Sequence, residues 1–285
     1  MEIRQLKIRC MRPGDFDIAA RLSNIENWDN SIDDFRRILR VEPGGSFVAI
    51  EERHRLGIVT TISYGRLGWI GNLVVSKRYR KLGIGSWLVK HAIVHLRRKG
   101  ARTIGLFSYK SALPFYQRLG FKRDASYLRF FGRGRALTSK GPRNIGMKDF
   151  ERILVFDRKC FGHHRDKLLN DLLERFRDSS FLTMRNGKVL GYIVGKNYEN
   201  TCEIGPWLCS REGISTAASL LRAVLNASIG KPVEVTVSNR NRQAFRLLRN
   251  HDFENHGMVV RMYCGDRSGF PDDRCNFAAE SLEKG

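Results

Sequence analysis

The chain has 285 residues, 42% of them hydrophobic and 28% charged, with 51 lysines and arginines against 29 aspartates and glutamates and a formal net charge of +22. That length suits one large or two ordinary domains, and the apolar content excludes a disordered chain. No apolar run approaches the length of a membrane span, and Met1-Glu2-Ile3-Arg4-Gln5 opens on charge rather than on a signal-peptide core, so a cytoplasmic protein with no membrane partner is expected. Cys10, Cys160, Cys202, Cys209, Cys264 and Cys275 form no C-x-x-C pair, and His163-His164 lacks cysteines at finger spacing, so reduced thiols and no metal are expected. The positive field attracts anions, nucleic acid among them, but no nucleic-acid-binding motif accompanies it.

In chain order, alternation and turn signals predict a strand near 6–11, a turn at Arg12-Pro13-Gly14-Asp15, and helices over 15–24 and 31–41. Strands follow near 46–53, 56–64 and 67–75, then a helix over 85–99 that ends on Lys99-Gly100. A strand at 102–108, a short helix at 110–119 and a strand at 121–131 complete the unit. The stretch 132–142, rich in Gly and charge, reads as a linker.

Beyond it the order returns. Helices are predicted over 147–160 and 165–177, strands near 180–185, 188–196 and 201–209, a helix over 212–227, a strand at 232–237, a helix over 240–250 and a strand at 255–263. Residues repeat as well: Trp69-Ile70-Gly71-Asn72-Leu73-Val74-Val75 answers Glu203-Ile204-Gly205-Pro206-Trp207-Leu208-Cys209 at an offset of 203 − 69 = 134. Tyr116-Gln117-Arg118-Leu119-Gly120-Phe121 answers Leu248-Arg249-Asn250-His251-Asp252-Phe253 at 253 − 121 = 132. Two correspondences at nearly one offset predict a duplicated α/β (α+β) domain, with units at 1–135 and 140–265 and a poorly ordered polar tail at 266–285.

Between the strand at 67–75 and the helix that follows stands Tyr79-Arg80-Lys81-Leu82-Gly83-Ile84-Gly85-Ser86. Two glycines let backbone amides approach a ligand, and the helix behind them turns its positive end toward it, so a phosphate is the natural occupant. The stretch is neither a Walker loop nor a dinucleotide fingerprint, and alone it is equally well a structural turn. About thirty residues on comes Ser111-Ala112-Leu113-Pro114-Phe115-Tyr116-Gln117-Arg118-Leu119-Gly120-Phe121. Together with Arg80-x-x-Gly83-x-Gly85, it resembles the GNAT acetyltransferase superfamily, and the whole chain resembles its tandem two-domain, YitH-like group.

The resemblance implies two GNAT-type domains, each a mixed, mostly antiparallel central sheet flanked by helices, and direct transfer of an acetyl group from acetyl-CoA to an amine. It places the oxyanion donor at the backbone amide of Leu73, the pantetheine arm beside Val74 and Val75, and the pyrophosphate on the amides of Arg80, Lys81, Leu82, Gly83, Ile84, Gly85 and Ser86. Tyr116 would protonate the departing thiolate; a core-packed aromatic is the plainer reading of the same residue. On the acceptor side it places Glu26, Trp28, Asp29 and Asn72, whose carboxylates suit a small cationic amine. Asp33 and Asp34 are more simply first-turn helix acids. No residue declares itself the general base.

In the second half, Arg80, Gly83 and Gly85 give way at the offset of 134 to Ile214, Ala217 and Ser219, and Tyr116 gives way to Leu248 at 132. A loop without the glycines and a leucine without a proton predict a domain that neither binds acetyl-CoA in the usual way nor catalyses. Two other readings stand beside a small-amine acetyltransferase: a protein N-terminal or lysine acetyltransferase, and an RNA- or ribosome-binding module with a vestigial acetyl-CoA site.

Overall fold

The structure is a computed structural model and describes residues 6–210 and 213–285. The first half runs β1 (Lys7–Cys10), α1 (Phe16–Asn24), α2 (Ile32–Val41), β2 (Ser46–Glu51), β3 (His54–Tyr64), β4 (Leu67–Val75), α3 (Ile84–Arg98), β5 (Thr103–Ser108), α4 (Leu113–Arg118) and β6 (Lys122–Arg133). The second runs β7 (Arg143–Asn144), α5 (Phe150–Phe161), α6 (Asp166–Arg175), β8 (Ser180–Arg185), β9 (Lys188–Asn197), β10 (Cys202–Cys209), α7 (Ile214–Ala227), β11 (Pro232–Ser238), α8 (Arg242–Arg249), β12 (Glu254–Gly265) and β13 (Asn276–Ala278). Local chemistry sets the ends. Ser31 caps α2 by accepting from the Asp34 amide while the Asp34 carboxylate takes the Ser31 amide, and α5 stops at Gly162, whose φ of 87° only glycine adopts freely.

The duplication extends to details that pattern alone did not expose. Arg9 forks onto Asp15 at 2.6 and 2.8 Å, and Arg143, 143 − 9 = 134 residues on, forks onto Asp149 at 2.7 and 2.7 Å. Each aspartate also takes a backbone amide at 2.9 Å, from Arg12 and from Gly146, and so pins the start of α1 and of α5. After α4 the Phe121 amide bonds the Tyr116 carbonyl at 3.1 Å; after α8 the Phe253 amide bonds the Leu248 carbonyl at 3.1 Å.

The two halves do not form separate sheets. Strand order is β1-β2-β3-β4-β5-β12-β6-β11-β10-β9-β8-β7, mostly antiparallel, with β13 added to β10. The strand after the last helix of each half has crossed over: β12 pairs with β5 of the first half, and β6 pairs with β11 of the second, Leu128 opposite Val237. The predicted linker is strapped down too, Leu137 and Asn226 exchanging bonds of 2.6 and 2.8 Å.

Helices cover the sheet. On one face α3 buries Leu88, Val89, Ala92 and Leu96 against Ile70, Ile104 and Leu106. Another cluster crosses the halves, joining Tyr64 and Trp69 to Leu169, Leu172, Leu182 and Tyr192. Each such large apolar side chain contributes roughly 1.5–3 kcal/mol by leaving water. Between α2 and α6, Arg37 meets Asp171 at 2.6 Å, both nearly out of solvent.

The segment expected to be a loose tail is ordered and buried. Phe277, Ala278 and Ala279 are core residues, and Glu280 and Ser281 are inaccessible. The polar composition hid this because its ladder partner is β10, about seventy residues back in sequence, with Trp207 opposite Ala278 and Leu208 opposite Asn276. From there the chain crosses to the first half, where the Tyr64 hydroxyl donates to the Lys284 carbonyl at 2.8 Å and the Trp69 indole donates to the Leu282 carbonyl at 3.3 Å.

Candidate functional site

The site starts from a sheet that parts. β4 and β5 are parallel partners only from Leu67–Trp69 opposite Thr103–Gly105, and beyond that they share no ladder. At the same level β4 bulges: Gly71 opposes Thr60 and Val74 opposes Ile58, so Asn72 and Leu73 together face Val59. Asn72 takes a left-handed φ of 48° at this point. Its side chain donates to Thr60 Oγ1 at 3.2 Å and accepts from Asn30 Nδ2 at 3.2 Å, which ties the bulge to the segment 25–31 between α1 and α2, termed the lid together with the first turn of α2. The bulge takes the Asn72–Leu73 stretch out of regular pairing and turns it toward the split.

At the end of β4 the chain passes Arg80 and enters α3 with Gly83 as its N-cap, at φ 80°. Lys81 is also left-handed, at 66°. The first turn of α3 carries no acid, so its free amides and positive end are not neutralised from within the helix. Gly85 faces Phe115, which stands 3.4 Å from where a Cβ would lie. Phe115 packs edge-to-face on Tyr116, with ring centroids 4.9 Å apart, and Tyr116 on Phe121 at 5.9 Å.

Bulge, loop and α4 enclose one cavity of about 1360 Å³. Of the sequence-predicted residues, Glu26, Trp28, Asp29, Asn72, Leu73, Val74, Val75, Arg80, Lys81, Gly83, Ile84, Gly85, Ser86 and Tyr116 all line it. Leu82 does not; its side chain is exposed on the outside of the loop. The Arg80 side chain turns back, bonding the Val75 carbonyl at 3.0 Å and the Glu26 carboxylate, so the lid and the loop are clasped by an ion pair. Asp33 pairs with Arg36, and Asp34 is spent on the helix cap, as first-turn acids should be. Burial pushes the Tyr116 phenol upward, which keeps it protonated.

The second half, β6 and the C-terminal segment supply the rest of the wall. Glu203 of β10, Arg129 of β6, Glu234 of β11, Tyr198 and Glu283 face the same cavity. Arg129 and Glu234 neutralise one another at 2.7 Å. Glu203 bonds Lys196 at 2.8 Å through Oε2. The sequence did carry a signal for it: Glu203 answers Trp69 in the repeat, a charge in the interior of an otherwise apolar strand. Among the described residues no group of three or more His, Cys, Asp or Glu side chains is arranged to hold a metal, and no helix is long and apolar enough to cross a membrane.

Comparison with known proteins agrees with this geometry in both halves. A model of the "Acetyltransferase (GNAT) family" matches residues 2–121, and a model of the "Acetyltransferase (GNAT) domain" matches residues 153–280. The chain belongs to the GNAT acetyltransferase family. Members of that family in general take the acetyl group from acetyl-CoA. The "Uncharacterized N-acetyltransferase YitH" of Bacillus subtilis is 26% identical over 147 residues, 50% of this chain and 51% of YitH, so the match spans about half of that relative. The holothin acyltransferase of a Pseudoalteromonas species is 21% identical over 88% of this chain and 85% of its own length. A crystal structure from Pyrococcus horikoshii superposes with a TM-score of 0.84 at 19% identity, over 100% of this chain and 98% of that one, and so shares the fold.

Seen as two GNAT units, the halves differ most where the first opens. β10 and β11 also pair in parallel for three residues, Cys202–Ile204 opposite Val233–Val235. Beyond them β13 lies along β10, occupying with main chain the split that stays open between β4 and β5. The connection into the helix is shorter, spanning 210–213 where the first half uses 76–83, so the structural counterpart of Gly83 is Gly213, an N-cap at φ −92°, and not Ala217 as a fixed offset implied. Residues 211 and 212 of that connection lie outside the described residues.

Proposed function

We propose that the protein is an acetyl-CoA-dependent N-acetyltransferase whose acceptor is a small cationic amine, with its acetyl-CoA site in the first half. The observation that carries this reading is the convergence, in one cavity, of the β4–β5 split, the bulge at Asn72–Leu73, the glycine loop at the head of α3, and Tyr116. Main-chain amides from Arg80 to Ser86 would hold the pyrophosphate, with Lys81 as an added cation and Gly83 supplying the left-handed turn that aims them. The β4 edge at Val74 and Val75, which has no ladder partner in β5, suits a pantetheine arm lying beside the strand. Bound acetyl-CoA brings the acetyl group as a thioester. The Leu73 amide would bond the carbonyl oxygen as charge develops there, and Tyr116 would give its proton to the leaving sulfur.

On the acceptor side Trp28, Asp29 and Glu26 line the cavity ahead of α2, Asn72 lines it from the β4 bulge, and Glu203 and Glu283 line it from the second half and the C-terminal segment. A surplus of carboxylates in a chain of net charge +22 supports a cationic acceptor. In the second half β13 fills the split and Leu248 replaces the tyrosine, which supports a role in completing the acceptor pocket rather than in transfer.

Thiol release from acetyl-CoA, measured against a panel of polyamines, amino acids and short peptides, tests this directly. We expect release with a small amine and acetyl-CoA binding by calorimetry that weakens at least tenfold in Gly83→Val. Acetyl-CoA binding that survives in that variant at full strength would remove the loop from the mechanism.

A further inference from the structure

We propose that the general base of the reaction comes from the second half: Glu203, on β10, takes the proton from the acceptor amine that attacks at the β4 bulge of the first half. The assignment rests on the acetyltransferase reading given above.

Two lines of geometry lead to it. The lid carboxylates are largely committed, Glu26 to Arg80, Asp33 to Arg36 and Asp34 to the α2 cap, and Asp29 stands exposed at the rim. Glu203 instead sits in the cavity wall, in the same enclosure as Asn72 and Leu73, with its side chain 35% exposed. One of its oxygens meets Lys196 at 2.8 Å, and among the described residues the other has no hydrogen-bond partner.

The second line is a charge count. Lys196 is shared: its Nζ lies 3.4 Å from Glu280 Oε1 and donates to the Glu280 carbonyl at 2.5 Å. Lys284 pairs with Glu283 and lies 3.7 Å from Glu280. Three carboxylates (Glu203, Glu280, Glu283) meet two ammonium groups (Lys196, Lys284), and 3 − 2 = 1 negative charge is left over. Glu280 is the satisfied member: burial would raise it, but Lys196, Lys284 and a 2.6 Å bond from Ser281 hold it at about 2. Glu203 carries the deficit. The part of it that is out of water lifts it, Lys196 works against the lift, and the negative Glu283 and Glu280 add to it, so its carboxyl stands raised toward neutral pH. Also nearby are Arg129 on β6, already paired with Glu234, Arg37 on α2, which acts on Glu280 but is paired with Asp171, Arg175 in the cavity wall, and the phenol of Tyr198. A carboxylate poised at neutral pH beside an amine is what proton removal requires.

The step balances simply. The ammonium gives a proton to Glu203; the neutral nitrogen forms a C–N bond to the acetyl carbon as the C–S bond breaks. Sulfur takes the Tyr116 proton, Tyr116 recovers one from the new amide nitrogen, and Glu203 releases its proton to water.

The test is steady-state transfer by the full chain between pH 6 and 9, for wild type and Glu203→Gln, with acetyl-CoA affinity and thermal melting measured alongside. We expect kcat of the folded variant to fall about 10²-fold or more at pH 7 with acetyl-CoA affinity unchanged. The deficit should shrink as pH approaches the pKa of the amine, where solution supplies the neutral nucleophile. If the variant does not fold, the wild-type profile decides: kcat/KM should show an ionisation near pH 7 that persists when the acceptor is changed to an amine of different pKa, and an acidic limb that only follows the amine overturns the assignment. A variant matching wild type in kcat at pH 7 overturns it too, while leaving the acetyltransferase reading intact. A wild type that neither binds acetyl-CoA nor releases thiol overturns both.

Discussion

Gly71 and Gly205, 134 residues apart in a duplicated chain, are both pressed against the same C-terminal segment. A Cβ on Gly205 would fall 2.1 Å from the Ala279 carbonyl oxygen, and one on Gly71 would fall 2.3 Å from that of Glu283. Neither glycine has a positive φ, so close approach, not backbone conformation, is what each position needs. The segment that fills the split of the second half thus goes on to form a wall of the first half's cavity.

Gly71→Val should therefore displace residues 280–285 rather than merely crowd a strand. The obstacle is backbone, which yields less than a side chain, so we expect a loss of about 1–3 kcal/mol or more in urea denaturation. An unchanged midpoint and slope would mean that the segment docks without that contact.

Inside the second half, Asp157 accepts from Arg165 at 2.9 and 2.7 Å and from the Tyr192 hydroxyl, with both charged side chains only 2% exposed. Asp157→Ala leaves the guanidinium uncompensated and should cost about 3–5 kcal/mol. Asp33→Ala, which breaks an ion pair with both partners more than half exposed, should cost no more than about 0.5 kcal/mol. Equal losses in the two variants would contradict the weight placed on burial.

Part of the acid sensitivity should lie at the paired starts of the two halves. Burial would raise Asp15, but Arg9, the Arg12 amide and Arg55 hold it at about 2, and Arg143 with the Gly146 amide holds Asp149 at about 2 against an unperturbed 3.8. Both pKa values are lower in the fold than in the unfolded chain, so their contribution is complete above about pH 4 and drains away as pH falls through about 2. Asp149→Asn should be less stable than wild type at pH 6, and the gap should narrow toward pH 2. A gap that is independent of pH would assign the loss to packing instead.

Tyr116→Phe keeps the ring in its place between Phe115 and Phe121 and removes only the proton. Under the proposed mechanism kcat should drop about 10²–10⁴-fold while acetyl-CoA affinity and melting temperature hold. Undiminished transfer would return Tyr116 to the core.

Much of the fold was legible because its signals are local. The strand predicted at 67–75 is β4, Leu67–Val75, and the helix predicted at 85–99 is α3, Ile84–Arg98, since turn residues and apolar period act within a few positions of where they stand. The loop was legible for the same reason: Arg80, Gly83 and Gly85 are neighbours in sequence as well as in space. Glu203 was not assigned to the site, although a lone acid in an apolar strand is a visible anomaly, because nothing local says which cavity it faces.

By itself, then, the sequence determined the elements, their duplication, and the glycine loop ahead of α3, all properties of contiguous residues. Only the tertiary structure decided that β6 and β12 change places, that β13 closes the second split, and that Glu203 and Glu283 face a site in the other half. Those outcomes depend on backbone groups finding partners seventy or more residues away, a choice made by burial and hydrogen bonding over the whole sheet and not written in any single stretch.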